Sequence, residues 1–296
     1  MEFLTVFTPT YNREKTLPWT YESLKRQSCK EFIWLVVDDG STDHTKEMVQ
    51  SWQKEENGFQ IRYLYKDNGG MHTAHNLAYA AIETELNVCI DSDDRMADGA
   101  VEKVKKKWRR VRGKGYAGLI GLDADLHTGQ IIGTGFSDRQ KETTLGAYYG
   151  GGGSGDKKLV YRTDVIRSVP PYPVFEGEKY VGLAWKYRKI DQNYKLAVLN
   201  EVLCEVDYQK DGSSATMWQQ YLENPKGFAF LRKEAMRAPI NRRRKVLDCI
   251  HYCSSSQIAG NRSYIRESPD EFLTMLCTPA GWGLTWVIRK RAKNRT

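Results

Sequence analysis

Short apolar runs alternate with helix-like segments over residues 3 to 122, and this alternation restricts the fold more than any other feature of the sequence. The clearest run is Phe32 to Val37, six consecutive apolar residues. An unbroken apolar run is typical of a parallel strand that is covered on both faces. Strands that alternate with helices indicate stacked β-α units, so we predict an α/β domain with a mostly parallel sheet flanked by helices.

The chain changes character twice after residue 122. Residues 123 to 215 contain further strand-like runs and a glycine-rich stretch, Gly146 to Gly155, which we predict to be a loop. From Met217 to about Gly260 the pattern is helical and basic, and a short tail from Pro269 to Thr296 closes the chain. We therefore predict one domain over residues 1–215, with halves at 1–122 and 123–215, and a basic helical extension over residues 216–296.

The cysteines and the amino terminus favour a cytoplasmic chain. The six cysteines include no C-x-x-C pair, as expected of reduced thiols. The first residues lack the basic segment of a signal peptide. The least polar stretch, Phe272 to Ile288, contains Pro279 and two glycines. We expect it to be too short and too interrupted to span a membrane.

Two of the predicted strands end in acidic residues. Asp38 and Asp39 follow the second strand. A polar turn with a helix cap explains these two residues as well as a ligand-binding role does. Asp91, Asp93 and Asp94 follow the fourth strand. Ligands of open α/β sheets bind outside the carboxyl ends of the strands. Three carboxylates within four residues repel one another unless a cation is near, and oxygen ligands of this kind suit Mg²⁺ or Mn²⁺.

Four motifs between Thr8 and Asp94 occur in a recognisable order. They are Thr8-Pro9-Thr10-Tyr11-Asn12, Val37-Asp38-Asp39-Gly40-Ser41-Thr42-Asp43, Asn68-Gly69-Gly70 through Asn76, and Asp91-Ser92-Asp93-Asp94. Together they resemble the nucleotide-binding half of family 2 glycosyltransferases, which have the GT-A fold. The resemblance implies a nucleotide-sugar donor, usually a UDP-sugar, a divalent metal ion held by the Asp-x-Asp element, and transfer with inversion at the anomeric carbon.

The resemblance also implies roles for single residues on the base side of the donor. Tyr11 would lie against the base, and Pro9 would help to shape the same wall. Asp39 would accept a hydrogen bond from the uracil ring N–H. Asn76 and the Gly69-Gly70 turn would help to seat the donor.

The roles implied for the Asp-x-Asp element concern the sugar and the diphosphate. Asp91 would contact the ribose or the sugar, and Ser92 would belong to the same donor-binding segment. Asp93 would bind the metal ion, Mn²⁺ or Mg²⁺, with Asp91 and Asp94 in support. A metal ion there neutralises the charge that the leaving nucleoside diphosphate gains.

An inverting transferase needs a general base for the acceptor hydroxyl. In the family that this sequence resembles, the base is an acidic residue after the strands of the second half, and Glu178 is the best match. Glu176 is the second candidate because Lys179 stands where an Asp is often found. A solvated acidic loop is the alternative for both residues.

A polar loop near residue 210 is the last candidate segment. In the family that this sequence resembles, such a loop often folds over the diphosphate. Lys210 would then balance phosphate charge, and Ser213 or Ser214 would donate hydrogen bonds. An ordinary turn explains the loop equally well.

The formal net charge of +8 is concentrated at the carboxyl end. Residues Lys226 to Thr296 carry +10, and the remainder carries −2. Trp282 and Trp286 precede the cluster Arg289-Lys290-Arg291. Aromatic residues beside cations suit the surface of an anionic bilayer, whereas no nucleic-acid recognition motif accompanies the charge. We expect a peripheral position at the inner face of the membrane, with a solvated basic helix as the alternative.

The motifs and the charge together predict a metal-dependent inverting glycosyltransferase. It would move a sugar from a UDP-sugar to a hydroxyl of a glycan or lipid-linked acceptor in bacterial surface polysaccharide synthesis. The alternative is a catalytically silent scaffold that binds nucleotide sugars at the membrane surface.

Overall fold

A computed structural model describes residues 2–207, 217–239 and 241–293 of the chain. Nine strands in these residues form one mixed sheet. They are β1 (Leu4–Thr10), β2 (Phe32–Asp38), β3 (Gln60–Tyr65), β4 (Leu86–Cys89), β5 (Arg95–Met96), β6 (Gly118–Asp125), β7 (Glu142–Thr143), β8 (Lys157–Arg162) and β9 (Leu196–Val206).

Helices connect the strands and form the carboxyl-terminal part of the chain. They are α1 (Leu17–Lys25), α2 (Thr45–Trp52), α3 (Met71–Ala81), α4 (Ala100–Val111), α5 (Leu145–Gly150), α6 (Thr163–Ser168), α7 (Ala184–Asp191), α8 (Met217–Glu223), α9 (Pro225–Arg237), α10 (Arg242–Ile258) and α11 (Glu271–Lys293). The predicted β-α alternation of the first 122 residues is confirmed.

The sheet has the strand order β3-β2-β1-β4-β8-β6-β9-β5, with β7 paired to β9. β1 is parallel to both of its neighbours, β2 and β4. The chain moves outward from β1 to β2 and β3 and then crosses to the other side of β1 for β4. This reversal is a topological switch point, and it opens a crevice at the carboxyl ends of β1 and β4.

Apolar side chains on both faces of the parallel strands explain why they are central. β2 is buried almost throughout, and Trp34 lies in a stack with Tyr21 of α1 and Trp52 of α2. The Tyr21 and Trp52 rings are 4.2 Å apart between centroids. Because aromatic side chains bury large apolar areas, this stack fixes two helices on one face of the sheet.

The chain divides into two compact units. One comprises Met1–Pro171 and Lys186–Tyr208, and the other comprises Tyr172–Trp185 and Gln209–Thr296. This division differs from the predicted boundary after residue 215, because residues 172–185 belong with the carboxyl-terminal helices. Trp185 Nε1 donates a hydrogen bond to Glu234 Oε2 of α9 at 3.2 Å, and the Trp185 ring packs on Phe230.

Two local expectations need correction. The stretch Gly146 to Gly155 is not a loop throughout, because α5 occupies its first part. The Thr144 hydroxyl accepts a hydrogen bond from the Ala147 N–H and caps that helix, which offsets the low helix propensity of glycine.

The second correction concerns the carboxyl-terminal stretch that contains Pro279, because α11 runs through it without a break for 23 residues. A Cβ atom at Gly281 would lie 2.5 Å from Cys253 Cβ, so this glycine permits close packing on α10 rather than ending the helix. Over the described parts of the chain, no helix is both long and apolar enough to cross a membrane.

Candidate active site

The loops that follow β1 and β2 are joined by hydrogen bonds. The Asn12 N–H donates to Ser41 Oγ at 2.9 Å, and the Thr42 N–H donates to Asn12 Oδ1 at 2.8 Å. Asn12 has a φ of 52°, a left-handed conformation that asparagine tolerates better than most residues. This arrangement leaves the Tyr11 side chain 46% exposed at the crevice, whereas Pro9 is buried within β1.

Asp38 and Asp39 at the end of β2 have structural partners. The Asp38 carboxylate accepts hydrogen bonds from the Ser41 N–H and from the Tyr63 hydroxyl, at 2.7 and 2.6 Å. The Asp39 carboxylate pairs with Lys66 Nζ at 2.5 Å. Asp38 therefore closes its own turn, and Asp39 is a buried, charge-paired carboxylate.

Asp39 also holds the turn that opens α3. Its two oxygens accept the Gly69 N–H at 3.0 Å and the Gly70 N–H at 2.7 Å. Gly70 has a φ of 90°, which only glycine adopts readily. The motif Asn68-Gly69-Gly70 thus serves to bring two backbone N–H groups to Asp39. Asn76 follows on the same helix and is partly buried.

The two histidines of α3 lie in the core. Neither ring nitrogen of His72 has a hydrogen-bond partner within the described residues, and burial lowers its pKa. His75 Nδ1 lies 3.2 Å from the Tyr79 hydroxyl, and burial lowers the pKa of His75 to about 4. Both rings are therefore neutral at pH 7, and they pack within the protein rather than offering charge to a phosphate.

The acidic residues after β4 form a tight turn. The Asp94 N–H donates to the Asp91 carbonyl at 3.0 Å, and Ser92 is buried within the turn. The Asp94 side chain is also buried, with Oδ2 3.7 Å from the Cys204 thiol, and burial raises its pKa to about 7. Asp94 therefore faces the interior of the sheet.

Asp93 is a partly exposed carboxylate of this turn, and it has one ion pair. Its side chain is 22% exposed, and Arg13 Nη2 lies 3.9 Å from Oδ2. Burial and then the charge of Asp91 raise the pKa of Asp93, and Asp207 adds to this effect. A partly exposed carboxylate surrounded by like charges is a site where a cation would bind favourably.

The structure adds Lys158 of β8, which the sequence interpretation did not include. Its side chain is 12% exposed, and Nζ lies 3.9 Å from Asp123 Oδ1. Burial opposes the ammonium charge, but Asp123 and Asp94 together raise the pKa of Lys158 above the ordinary lysine value. The ammonium group of Lys158 therefore supplies positive charge beside Asp94 and Asp123. Only the pairing of β8 between β4 and β6 brings Lys158 there, and no sequence spacing signals it.

The carboxyl-terminal unit contains the two candidate bases. Glu178 is 8% exposed, and its carboxylate accepts the Lys226 N–H and the Gly227 N–H, both at 2.8 Å. It therefore caps the amino end of α9. Glu176 is exposed on the same turn. The diphosphate-loop candidates Lys210, Ser213 and Ser214 lie outside the described residues.

The residues at the end of β4 fit a metal ion that is shared with a substrate. Within the described ranges, no group of three or more His, Cys, Asp or Glu side chains is arranged to hold a metal ion. Mg²⁺ is commonly bound by one or two carboxylates together with water and substrate phosphates. Asp93, with its raised pKa, and Asp91 are oxygen donors of that type.

Comparison with known proteins agrees with this geometry. Residues 5–123 match the model of the family described as Glycosyl transferase family 2. The teichoic acid poly(glycerol phosphate) polymerase of Staphylococcus epidermidis is 32% identical over 114 residues, which are 38% of this chain and 16% of that protein. The GalNAc(5)-diNAcBac-PP-undecaprenol beta-1,3-glucosyltransferase of Campylobacter jejuni is 31% identical over 123 residues, 41% of this chain and 38% of that protein. The chain thus matches well under half the length of these relatives.

Solved structures share the fold at low sequence identity. S. aureus TarS 1-349 in complex with UDP-GlcNAc has a TM-score of 0.62 at 19% identity, over 90% of this chain and 76% of that one. The mannosyltransferase PcManGT from Pyrobaculum calidifontis, in complex with GDP-Man and Mn²⁺, has a TM-score of 0.55 at 14% identity, over 98% and 83% of the two chains. Residues 5–123 therefore match glycosyl transferase family 2, a family of enzymes, and the chain shares the GT-A fold of these solved structures.

Proposed function

We propose that the protein is an inverting glycosyltransferase that moves a sugar from a UDP-sugar to a hydroxyl of a glycan or lipid-linked acceptor in bacterial surface polysaccharide synthesis. One observation carries this proposal. Asp91 and Asp93 follow the strand beside the switch point, where Asp93 is partly exposed and the nearest atom of its cationic neighbour, Arg13 Nη2, lies 3.9 Å away. The relatives, which are named for teichoic acid and undecaprenol-linked saccharides, support the acceptor class.

The donor would lie along the carboxyl ends of β1, β2 and β4. The exposed Tyr11 ring offers a face for the base, with Pro9 behind it in β1. Asp39 would reach the uracil N–H only by sharing oxygens that already bind Lys66 and the Gly69-Gly70 turn. Asn76 and Ser92 complete the proposed donor contacts.

We propose that Asp93 binds Mn²⁺ or Mg²⁺, with Asp91 and Asp94 in support. The raised pKa of Asp93 supports this role, because a carboxylate crowded by Asp91 and Asp207 gains from a nearby cation. When bound, the metal ion would neutralise negative charge on the departing diphosphate. Asp94 would act through the shape of the turn, since its side chain is buried.

The general base is proposed to be Glu178 or Glu176. Each Glu178 oxygen accepts one hydrogen bond from an α9 N–H group, which leaves only part of the acceptor capacity of the carboxylate for an acceptor hydroxyl. Glu176 is exposed, and it therefore becomes the stronger candidate for proton transfer. The diphosphate contacts of Lys210, Ser213 and Ser214 remain part of the proposal.

The second candidate function is a scaffold that binds nucleotide sugars without turnover. The capping role of Glu178 favours it, because the residue that best matches the family's base is engaged elsewhere. The two functions differ in one measurement. A scaffold would be stabilised by a UDP-sugar in thermal unfolding and would release no UDP.

The test is UDP release from a panel of UDP-sugars, with Mn²⁺ or Mg²⁺ and then with a chelator. We expect slow release with one sugar, loss of release with the chelator, and inversion at the anomeric carbon by NMR. Stabilisation without release would support the scaffold. The absence of both binding and release across the panel would contradict the donor assignment.

We also propose that the protein binds the anionic inner face of the membrane and binds its acceptor there. The charge of +10 over Lys226 to Thr296 supports this location. Each basic residue near such a surface contributes about 1 kcal/mol to binding.

A further inference from the structure

The helix α11 presents apolar side chains to solvent, which reverses the usual arrangement of a surface helix. Between Phe272 and Trp286, all of which the structure describes, the outward-facing residues include no polar or charged side chain. They are Phe272, Met275, Leu276, Pro279, Ala280, Trp282, Gly283 and Trp286. Phe272 is 69% exposed, and Trp286 is 64% exposed. An ordinary surface helix would have charged residues at these positions.

Contacts with α10 fix the rotation of α11, so the outward face is a consequence of packing. The inward face consists mainly of small residues, including Thr274, Gly281 and Thr285. The Thr285 and Ser254 hydroxyls lie 3.0 Å apart, and Gly281 allows the two helices to approach closely. A rotation that buried the tryptophans would lose these contacts and would bring bulky side chains into a space that accommodates only small ones.

Basic residues flank the apolar face at both ends. Arg289, Lys290, Arg291 and Lys293 follow it, and Lys290 Nζ lies 5.0 Å from the centre of the Trp286 ring. At the other end, Lys245 Nζ binds Asp270 Oδ2 at 2.6 Å. That ion pair brings the first turn of α10, with the exposed Arg242 and Arg243, beside the start of α11.

We propose that this face of α11 lies in the plane of an anionic bilayer, with its apolar side chains among the acyl chains and its flanking cations on the lipid phosphates. The face is about 21 Å long at 1.5 Å per residue. A helix with one apolar face, interfacial tryptophans and basic ends has the chemistry of an interfacial anchor. The inference rests on the proposed membrane location and specifies how that location is reached.

The basic residues beside the apolar face of α11 favour an anionic bilayer, rather than a second copy of the chain, as the partner of this face. Two copies joined in parallel through this face would bring their clusters at Arg289 to Lys293 together, which costs free energy. Anionic headgroups instead supply the opposite charge at both ends. The geometry therefore favours a bilayer.

The test is sedimentation of the full-length protein with vesicles that contain phosphatidylglycerol and with vesicles of phosphatidylcholine alone. We expect the protein to bind the anionic vesicles at least tenfold more tightly. The double variant Trp282→Ser, Trp286→Ser should lose at least tenfold in binding, because it removes two aromatic groups that would be buried in the bilayer. The double variant Arg289→Gln, Lys290→Gln should lose about 25-fold on anionic vesicles, or about fivefold for each charge.

A matched control is Trp19→Ser, which removes a tryptophan that is 38% exposed on α1 and should leave vesicle binding unchanged. Equal binding by the Trp282→Ser, Trp286→Ser variant and the wild type would overturn the proposal, as would a wild-type dimer that this variant dissociates. UDP release without vesicles should be equal in all these proteins. It therefore reports on glycosyl transfer separately from membrane docking.

Discussion

Two acidic clusters follow neighbouring parts of the same sheet, and their surroundings differ. Asp39 after β2 is neutralised by Lys66 and by two backbone N–H groups. Asp93 after β4 has one cation, Arg13, at 3.9 Å and like charges around it. The first carboxylate stabilises the fold and the second is available to a ligand. Similar motifs in a sequence can therefore have opposite energetic roles.

The largest expected effect is on activity. Asp93→Asn should reduce UDP release about a thousandfold, because it removes the carboxylate that would hold the metal ion. The melting temperature should not fall, since the substitution also removes repulsion with Asp91. A matched control is Asp98→Asn, which changes an exposed carboxylate on the same segment. Retention of full activity in Asp93→Asn would remove the metal assignment.

The second effect is on stability. Asp39→Asn should lower the free energy of unfolding by about 3 kcal/mol, because it leaves a partly buried Lys66 without its partner and weakens two hydrogen bonds. Urea unfolding followed by tryptophan fluorescence measures this change. If Asp39→Asn unfolds at the same urea concentration as the wild type, then the two clusters do not differ as described.

The third effect is a dependence of stability on pH in metal-free buffer. Asp94 has a pKa of about 7 in the folded protein, against about 3.9 when unfolded. Between these values the folded state binds more protons than the unfolded state, so stability falls as pH rises from about 4 to 7, by about 4 kcal/mol. Asp94→Asn should flatten this part of a plot of unfolding free energy against pH. A slope that is the same in Asp94→Asn and in the wild type would assign the dependence to other groups.

The smallest effect concerns Glu178, a third carboxylate that is satisfied by backbone N–H groups. Glu178→Gln should lower stability by about 1 kcal/mol through the loss of a charged cap on α9, whereas the exposed Glu176→Gln should not change it. Thermal unfolding and sugar transfer should be measured for both variants. Loss of transfer in Glu178→Gln at an unchanged melting temperature would restore Glu178 as the base.

Sequence patterns predicted the parts of this molecule that depend on local chemistry. The apolar run of β2 and the acidic residues after β2 and β4 lie where the alternation placed them, because strand burial and the succession of strands and helices along the chain follow from that pattern. Lys158 was missed because a non-local strand pairing brings it to Asp123. The continuity of α11 was missed because Pro279 and Gly281 disfavour a helix locally, and only packing against α10 shows why Gly281 is accommodated.

The bonds between Asp39 and the Gly69-Gly70 turn have a consequence for amide hydrogen exchange. These two N–H groups lie in a connection that looks like a surface loop, yet their acceptor is the Asp39 carboxylate, 30 and 31 residues earlier and directly after β2. Their exchange with solvent therefore requires separation of the turn from β2, which links it to opening of the sheet. The amides of the loop that precedes α3 should therefore exchange with solvent as slowly as the amides of the sheet core.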